Sequence, residues 1–155
     1  MESIKDLFSN YVLNVAVLSW LSAQVIKTFL NFLKTKKFTP ERLVGAGGMP
    51  SAHSASVCGL TIAVARSVGF ASPLFAISFL MAAVVMYDAT GVRRAAGEHA
   101  KVINMIVRKQ NGTFSYTPKK KGELKEFLGH TPIEVMGGAM LGILLALIVP
   151  FHGVV

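Results

Sequence analysis

"GHTPIEVMGGAMLGILLALIVP" runs from Gly129 to Pro150, and its two halves obey different rules. From Pro132 onward it is almost unbrokenly apolar. Its length matches a helix crossing the hydrocarbon core of a bilayer, which takes about 20 residues. Gly138 and Gly142 stand at GxxxG spacing, which lets a second helix approach backbone to backbone. Ahead of that run comes "TPIE", which fits a capping box: Thr131 as N-cap, Pro132 at the first helical position and Glu134 at the third. His130 stands just outside the cap. An ionisable group at the end of a membrane-length helix is costly unless something compensates it, so it marks a functional position by default.

The rest of the chain repeats the theme. It has 155 residues, the length of one domain, with 52% apolar residues and only 15% charged ones. A soluble domain carries about a quarter charged residues, so the composition points to an integral membrane protein. Three further runs approach spanning length: Tyr11 to Leu33, Ser54 to Phe70 and Ser72 to Val92. The expected fold is therefore all-α, one polytopic membrane domain over residues 1–155 with about four transmembrane spans, near 11–33, 54–70, 72–92 and 132–150. No strand alternation and no internal repeat is visible. Between the third and fourth runs, Val102, Ile103, Ile106 and Val107 recur at helical spacing. They predict either an extension of the third helix or an amphipathic helix at the cytoplasmic interface. "QNGTFSYTPKKKG" then reads as a polar, turn-rich loop.

Charge placement gives an orientation. The net charge is +8, and of 16 basic residues all but Lys5, Lys27 and Arg66 fall in two segments, 34–50 and 93–129. With four spans both segments lie on one side, and the positive-inside rule makes that side the cytoplasm, with both termini outside. No signal or transit peptide is read at the N-terminus. The expected location is the cell membrane, multi-pass. Arg66, inside the second run, is expected to snorkel to the outer interface. Asn14 and Gln24 are expected to hydrogen-bond between helices, and His99 to be solvated. His152 is expected at the outer surface. The single cysteine, Cys58, reads as a small apolar filler.

The ionisable residues near the spans gather at one end. His53 opens the second run, Asp88 with Arg93 and Arg94 closes the third, and His130 and Glu134 open the fourth. In an up-and-down bundle all of them reach the side that carries the basic loops. Two imidazoles, two carboxylates and several cations at a lipid–water boundary suit an anionic lipid head group.

Three segments carry a family resemblance. "GGMPSAHSA" (Gly47 to Ala55) resembles the Pro-Ser-Gly-His motif of the type-2 phosphatidic acid phosphatase superfamily, which also contains the vanadium haloperoxidases. "GHTPIEVMGGAMLG" resembles that superfamily's third motif, a histidine followed four residues later by an acid. With "YDATGVRRAAGEHA" they resemble its divergent branch of small membrane proteins, from about Lys27 to Gly142. The resemblance implies metal-independent hydrolysis of a lipid phosphomonoester or pyrophosphate through a phosphohistidine, with no cofactor and no metal. By position His130 would be the nucleophile, Glu134 its orienting carboxylate and His53 the general acid. Ser51 and the N–H groups from Ser51 to His53 would cradle phosphate oxygens. The first motif's lysine–arginine pair is absent as such, Leu124 stands where the third motif has an arginine, and Glu134 replaces the usual aspartate. The phosphate-holding cations are then expected from Arg93 and Arg94, with Lys27 or Arg42 in support and Asp88 holding one arginine in place. The expected partners are the lipid phosphate and membrane lipids, not nucleic acid, with a homo-oligomer possible. The alternative is a non-catalytic anionic-lipid-binding or scaffold protein that keeps the fold. A transporter or channel has little support, because no span carries a regular polar stripe.

Overall fold

The computed structural model describes residues 2–36, 48–110, 124 and 129–151. Among these every regular element is a helix: α1 (Glu2–Ser9), α2 (Tyr11–Thr35), α3 (Ala52–Val68), α4 (Pro73–Thr90), α5 (Val92–Gln110) and α6 (Pro132–Ile148). The four helices that build the bundle begin on side-chain caps. Asn10 Oδ1 accepts from the Leu13 N–H at 3.0 Å, and Ser51 and Ser72 do the same for α3 and α4. At α6 the capping box closes on both sides, Thr131 Oγ1 accepting from the Glu134 N–H and Glu134 Oε2 from the Thr131 N–H. Each cap satisfies an N–H that has no carbonyl partner within the helix.

Helix α3 is the axis, packed against α2, α4 and α6, and α2 also touches α6. Its buried face is small throughout: Ala52, Ser54, Ala55, Cys58, Gly59, Thr61, Ala63 and Ala65. Small faces let helix axes come close. The GxxxG pair of α6 uses that freedom fully, since a Cβ on Gly138 would stand 2.2 Å from the Ser51 carbonyl oxygen and one on Gly142 2.1 Å from that of Ala55. The large apolar side chains point the other way. Phe29, Ile77, Phe79, Leu80, Val84, Met140 and Leu147 are all more than half exposed. A core of alanine, glycine and serine beneath a coat of exposed Leu, Ile and Phe is inverted for water and natural for lipid, where close packing rather than hydrophobic burial holds helices together.

Two stretches are long and apolar enough to cross a membrane, Tyr11–Thr35 and Pro73–Val107, and Pro132–Ile148 is apolar but shorter. Helix α3 also has 17 residues, at the lower limit for a span. Helix length thus supports two spans outright, where the apolar pattern predicts four.

At the bundle end remote from the histidines, Arg66 is held by partners from two other helices. Its Nη1 donates to Tyr11 Oη at 2.8 Å, to the Val149 carbonyl at 2.9 Å and to the Ala146 carbonyl. These carbonyls belong to the last turn and cap of α6, which lack N–H partners and carry the negative end of the helix dipole. These partners lie 55 to 83 residues away in the chain, so the pairing was not legible from neighbouring residues. Asn14 bonds the Phe8 carbonyl of α1 rather than a neighbouring span, at 2.6 Å.

Candidate active site

The opposite end of the bundle brings the second and third motifs together. Gly129 makes the join: its φ is +83°, and a Cβ there would stand 2.4 Å from the Arg94 nitrogen. The turn therefore presses directly on the backbone where α5 begins, and only glycine combines that φ with that approach. The His130 N–H then donates to the Ala89 carbonyl at the end of α4, at 2.9 Å. The Ser51 N–H donates to the Glu134 carbonyl, also at 2.9 Å, tying the start of α3 to the first turn of α6. Two helix N-termini thus converge, and their first N–H groups and dipoles favour an anion between them.

Into this corner project two imidazoles. The rings of His53 and His130 have centroids 6.4 Å apart and meet edge to face. His130 is 4% exposed, and its Nδ1 lies 3.4 Å from Glu134 Oε2. That is ion-pair distance without hydrogen-bond geometry, and the Nδ1 has no hydrogen-bond partner among the described residues. The reason is visible: the same carboxylate oxygen accepts from the Thr131 N–H at 2.9 Å. Glu134 is therefore both a helix cap and the carboxylate beside His130, the two readings that the sequence left side by side.

Cations surround the rings. Lys27 is 4% exposed on the inner face of α2, and its charge acts on both histidines. Arg93 acts on both as well, and its Nε donates to Asp88 Oδ2 at 2.5 Å, so Asp88 does hold an arginine. Both imidazoles sit at the polar end, ahead of the apolar runs, and both have pKa values below that of a free histidine. For His53 the main cause is burial, followed by Arg93, His130 and Lys27, with Asp88 opposing. For His130 burial again leads, and Glu134 pulls the other way.

Other expected site residues fall elsewhere. Ser51 is fully buried, and its hydroxyl oxygen accepts from the Ser54 N–H and Oγ, so it serves the helix start. The N–H groups of Ala52 and His53, the first two of α3, precede any intrahelical carbonyl partner. Arg94 is exposed and acts on Glu98, a turn further along α5. Leu124 is exposed, and its backbone pairs with the Asn104 side chain. Arg42 and His152 lie outside the described residues, as do most of the loop lysines. His99 is exposed, as expected. Gln24, expected to bond between helices, is buried with its Oε1 unsatisfied among the described residues. It stands three residues before Lys27 on the inner face of α2.

A family model described as "Divergent PAP2 family", PAP2 denoting type-2 phosphatidic acid phosphatase, matches residues 8–145. The chain is 42% identical over 154 residues to the "Uncharacterized membrane protein YuiD" of Bacillus subtilis (strain 168), the match covering 94% of this chain and 98% of that one. No solved structure matches.

Proposed function

Since this chain belongs to the divergent PAP2 family, we propose that it is a multi-pass membrane phosphatase that removes phosphate from a lipid phosphomonoester or pyrophosphate. The observation that supports this most directly is the His53–His130 pair, 6.4 Å apart between two helix N-termini with Glu134 behind one ring. Four spans, α2, α3, α4 and α6, carry the bundle, and the basic loops hold the site at the cytoplasmic face. The lipid tail stays among the exposed apolar side chains while the phosphate enters the corner.

Each group has a task. With Nδ1 turned to Glu134, Nε2 of His130 is the nitrogen left to attack phosphorus, and the carboxylate stabilises the imidazolium that forms. His53 gives its proton to the departing alkoxide. It then takes one from the water that attacks the phosphohistidine, and inorganic phosphate leaves with His130 restored. Lys27 and Arg93 offset charge on the equatorial oxygens, together with the first N–H groups of α3. The second reading, a lipid-binding scaffold without turnover, draws on Leu124 and Arg94, which supply no cation beside the rings. Release of inorganic phosphate by purified protein in EDTA, from phosphatidate or a polyprenyl pyrophosphate, separates the two: the phosphatase turns over and the scaffold does not.

The pH profile is a sharper check. In the free enzyme the nucleophile must be neutral and the acid protonated. His130, with a lowered pKa, stays neutral at pH 7. His53, also lowered, is protonated only below the ordinary imidazole value of about 6.5. The plot of kcat/KM is therefore expected to peak on the acid side of neutrality and to fall about tenfold per pH unit on its alkaline limb. A bound phosphate dianion opposes both shifts, so the kcat profile lies at higher pH. His53→Ala removes the alkaline limb; a limb unchanged in that variant contradicts the assignment.

A further inference from the structure

Helix α5 is not accounted for by the catalytic corner. Together with α4 it forms a nearly continuous helical stretch of 35 residues, Pro73–Val107, whose apolar part lies in α4. At 1.5 Å per residue that is about 52 Å, far more than the roughly 30 Å of hydrocarbon that a span must cross. The surplus lies in α5. Helix α4 has no charged residue before Asp88, whereas α5 carries Arg93, Arg94, Glu98 and Lys101 within its first ten positions. Carrying α5 onward through the bilayer would put those four charges in hydrocarbon. The backbone breaks at the boundary: Gly91, with φ −99° and ψ −96°, closes α4 through its N–H to the Tyr87 carbonyl.

The faces of α5 are sharply divided. Gly97, Ala100 and Asn104 form a buried stripe, and Asn104 clasps the Leu124 backbone with two hydrogen bonds, 2.9 and 3.1 Å. At 100° per residue, Val92, Val102, Ile103 and Ile106 fall on the other side with the exposed His99 among them, and the four apolar residues are about half exposed or more. Arg94 and Lys101, two turns apart, flank that apolar face. No described helix other than α4 packs against α5. An apolar stripe beside basic residues is the pattern of a helix lying in the plane of a lipid surface. The charge of the whole chain, +8, matches it to anionic head groups.

We propose that α5 turns at Gly91 and lies along an anionic lipid surface, its Val92–Ile106 face in the acyl boundary and Arg94 and Lys101 among the head groups. Arg93, in its first turn, pairs with Asp88 and acts on His53. A docked α5 therefore holds the site's cation at head-group depth. The inference rests on the geometry of α4 and α5 and stands without the phosphatase reading.

The test uses the full chain with Cys58→Ala and Ile106→Cys, labelled with an environment-sensitive fluorophore. It is reconstituted in phosphatidylcholine vesicles with or without phosphatidylglycerol. Ile103→Cys, on the same face and 47% exposed, serves as the second label site should the first perturb folding. The expected result is quenching several-fold stronger from a nitroxide near the glycerol backbone than from one deep in the acyl chains. Omitting phosphatidylglycerol or raising salt should weaken it. Dominant quenching by the deep nitroxide would make α5 a continuation of the span and overturn the proposal. So would a signal insensitive to both nitroxides, which would leave the face in water or under a second protein surface.

Discussion

Replacing His130 by alanine is expected to lower phosphate release by at least about 10⁴-fold, with no recovery on any substrate, because the nucleophile itself is gone. His53→Ala should behave differently. Its loss removes a general acid worth about 10²–10⁴ in rate, but only where the leaving group needs a proton. A lipid alkoxide is strongly basic, whereas nitrophenolate leaves unaided. The His53→Ala defect should therefore shrink to a few-fold in the first-turnover release of nitrophenolate from p-nitrophenyl phosphate, while the His130→Ala defect persists. Equal losses in both variants on both substrates would argue that the rings bind phosphate without dividing the labour. The two imidazoles are 6.4 Å apart, but His130 is buried against Glu134 whereas His53 is exposed, and this difference assigns the roles.

The second large effect concerns the fold. Gly142→Leu should destabilise the protein by about 3 kcal/mol or more, since the new Cβ would meet the Ala55 oxygen at 2.1 Å and the Gly59 nitrogen at 2.9 Å. Both neighbours are backbone of the central helix and cannot rotate away as a side chain would. In detergent the midpoint of thermal unfolding should fall by roughly 6–12 °C, taking about 2–4 °C per kcal/mol for a chain of this size. Met140→Leu, two residues away on the exposed face, should leave it unchanged. A Gly142→Leu protein as stable as the parent would mean that α6 does not pack on α3 through this glycine pair. The site would suffer too, because the same helix contact sets Glu134 and Ser51 side by side.

Much of this was legible in the chain because it is local. The capping box of α6, the Pro73 helix start and the GxxxG pair follow from residues a turn apart. The pairing of His53 with His130 followed from counting helices and asking which ends meet. What stayed hidden depends on register between distant helices. Arg66 looked like a stray charge because Tyr11, Ala146 and Val149 reach it only after α2, α3 and α6 are assembled. Lys27 was a candidate cation from sequence, but its burial on the inner face of α2 depends on how the helices assemble. Ser51 caps the helix it precedes, its hydroxyl oxygen accepting from the Ser54 N–H and Oγ, a local task that the motif alone does not announce. Arg94 and Arg93 are adjacent in sequence and so point about 100° apart, and the structure gives only Arg93 to the histidines.

The central claim, covalent catalysis by His130, is tested most directly by rapid alkaline denaturation of the purified protein during turnover of ³²P-labelled phosphatidate, followed by peptide mapping. Phosphohistidine is stable in alkali, and phosphoserine esters are not. The account predicts an acid-labile, alkali-stable label on the peptide containing His130. That label should be absent in His130→Ala, and with labelled p-nitrophenyl phosphate, whose leaving group needs no proton, it should accumulate in His53→Ala, where water attack is slowed. Steady phosphate release with no label at His130, or a label that survives in His130→Ala, would contradict it.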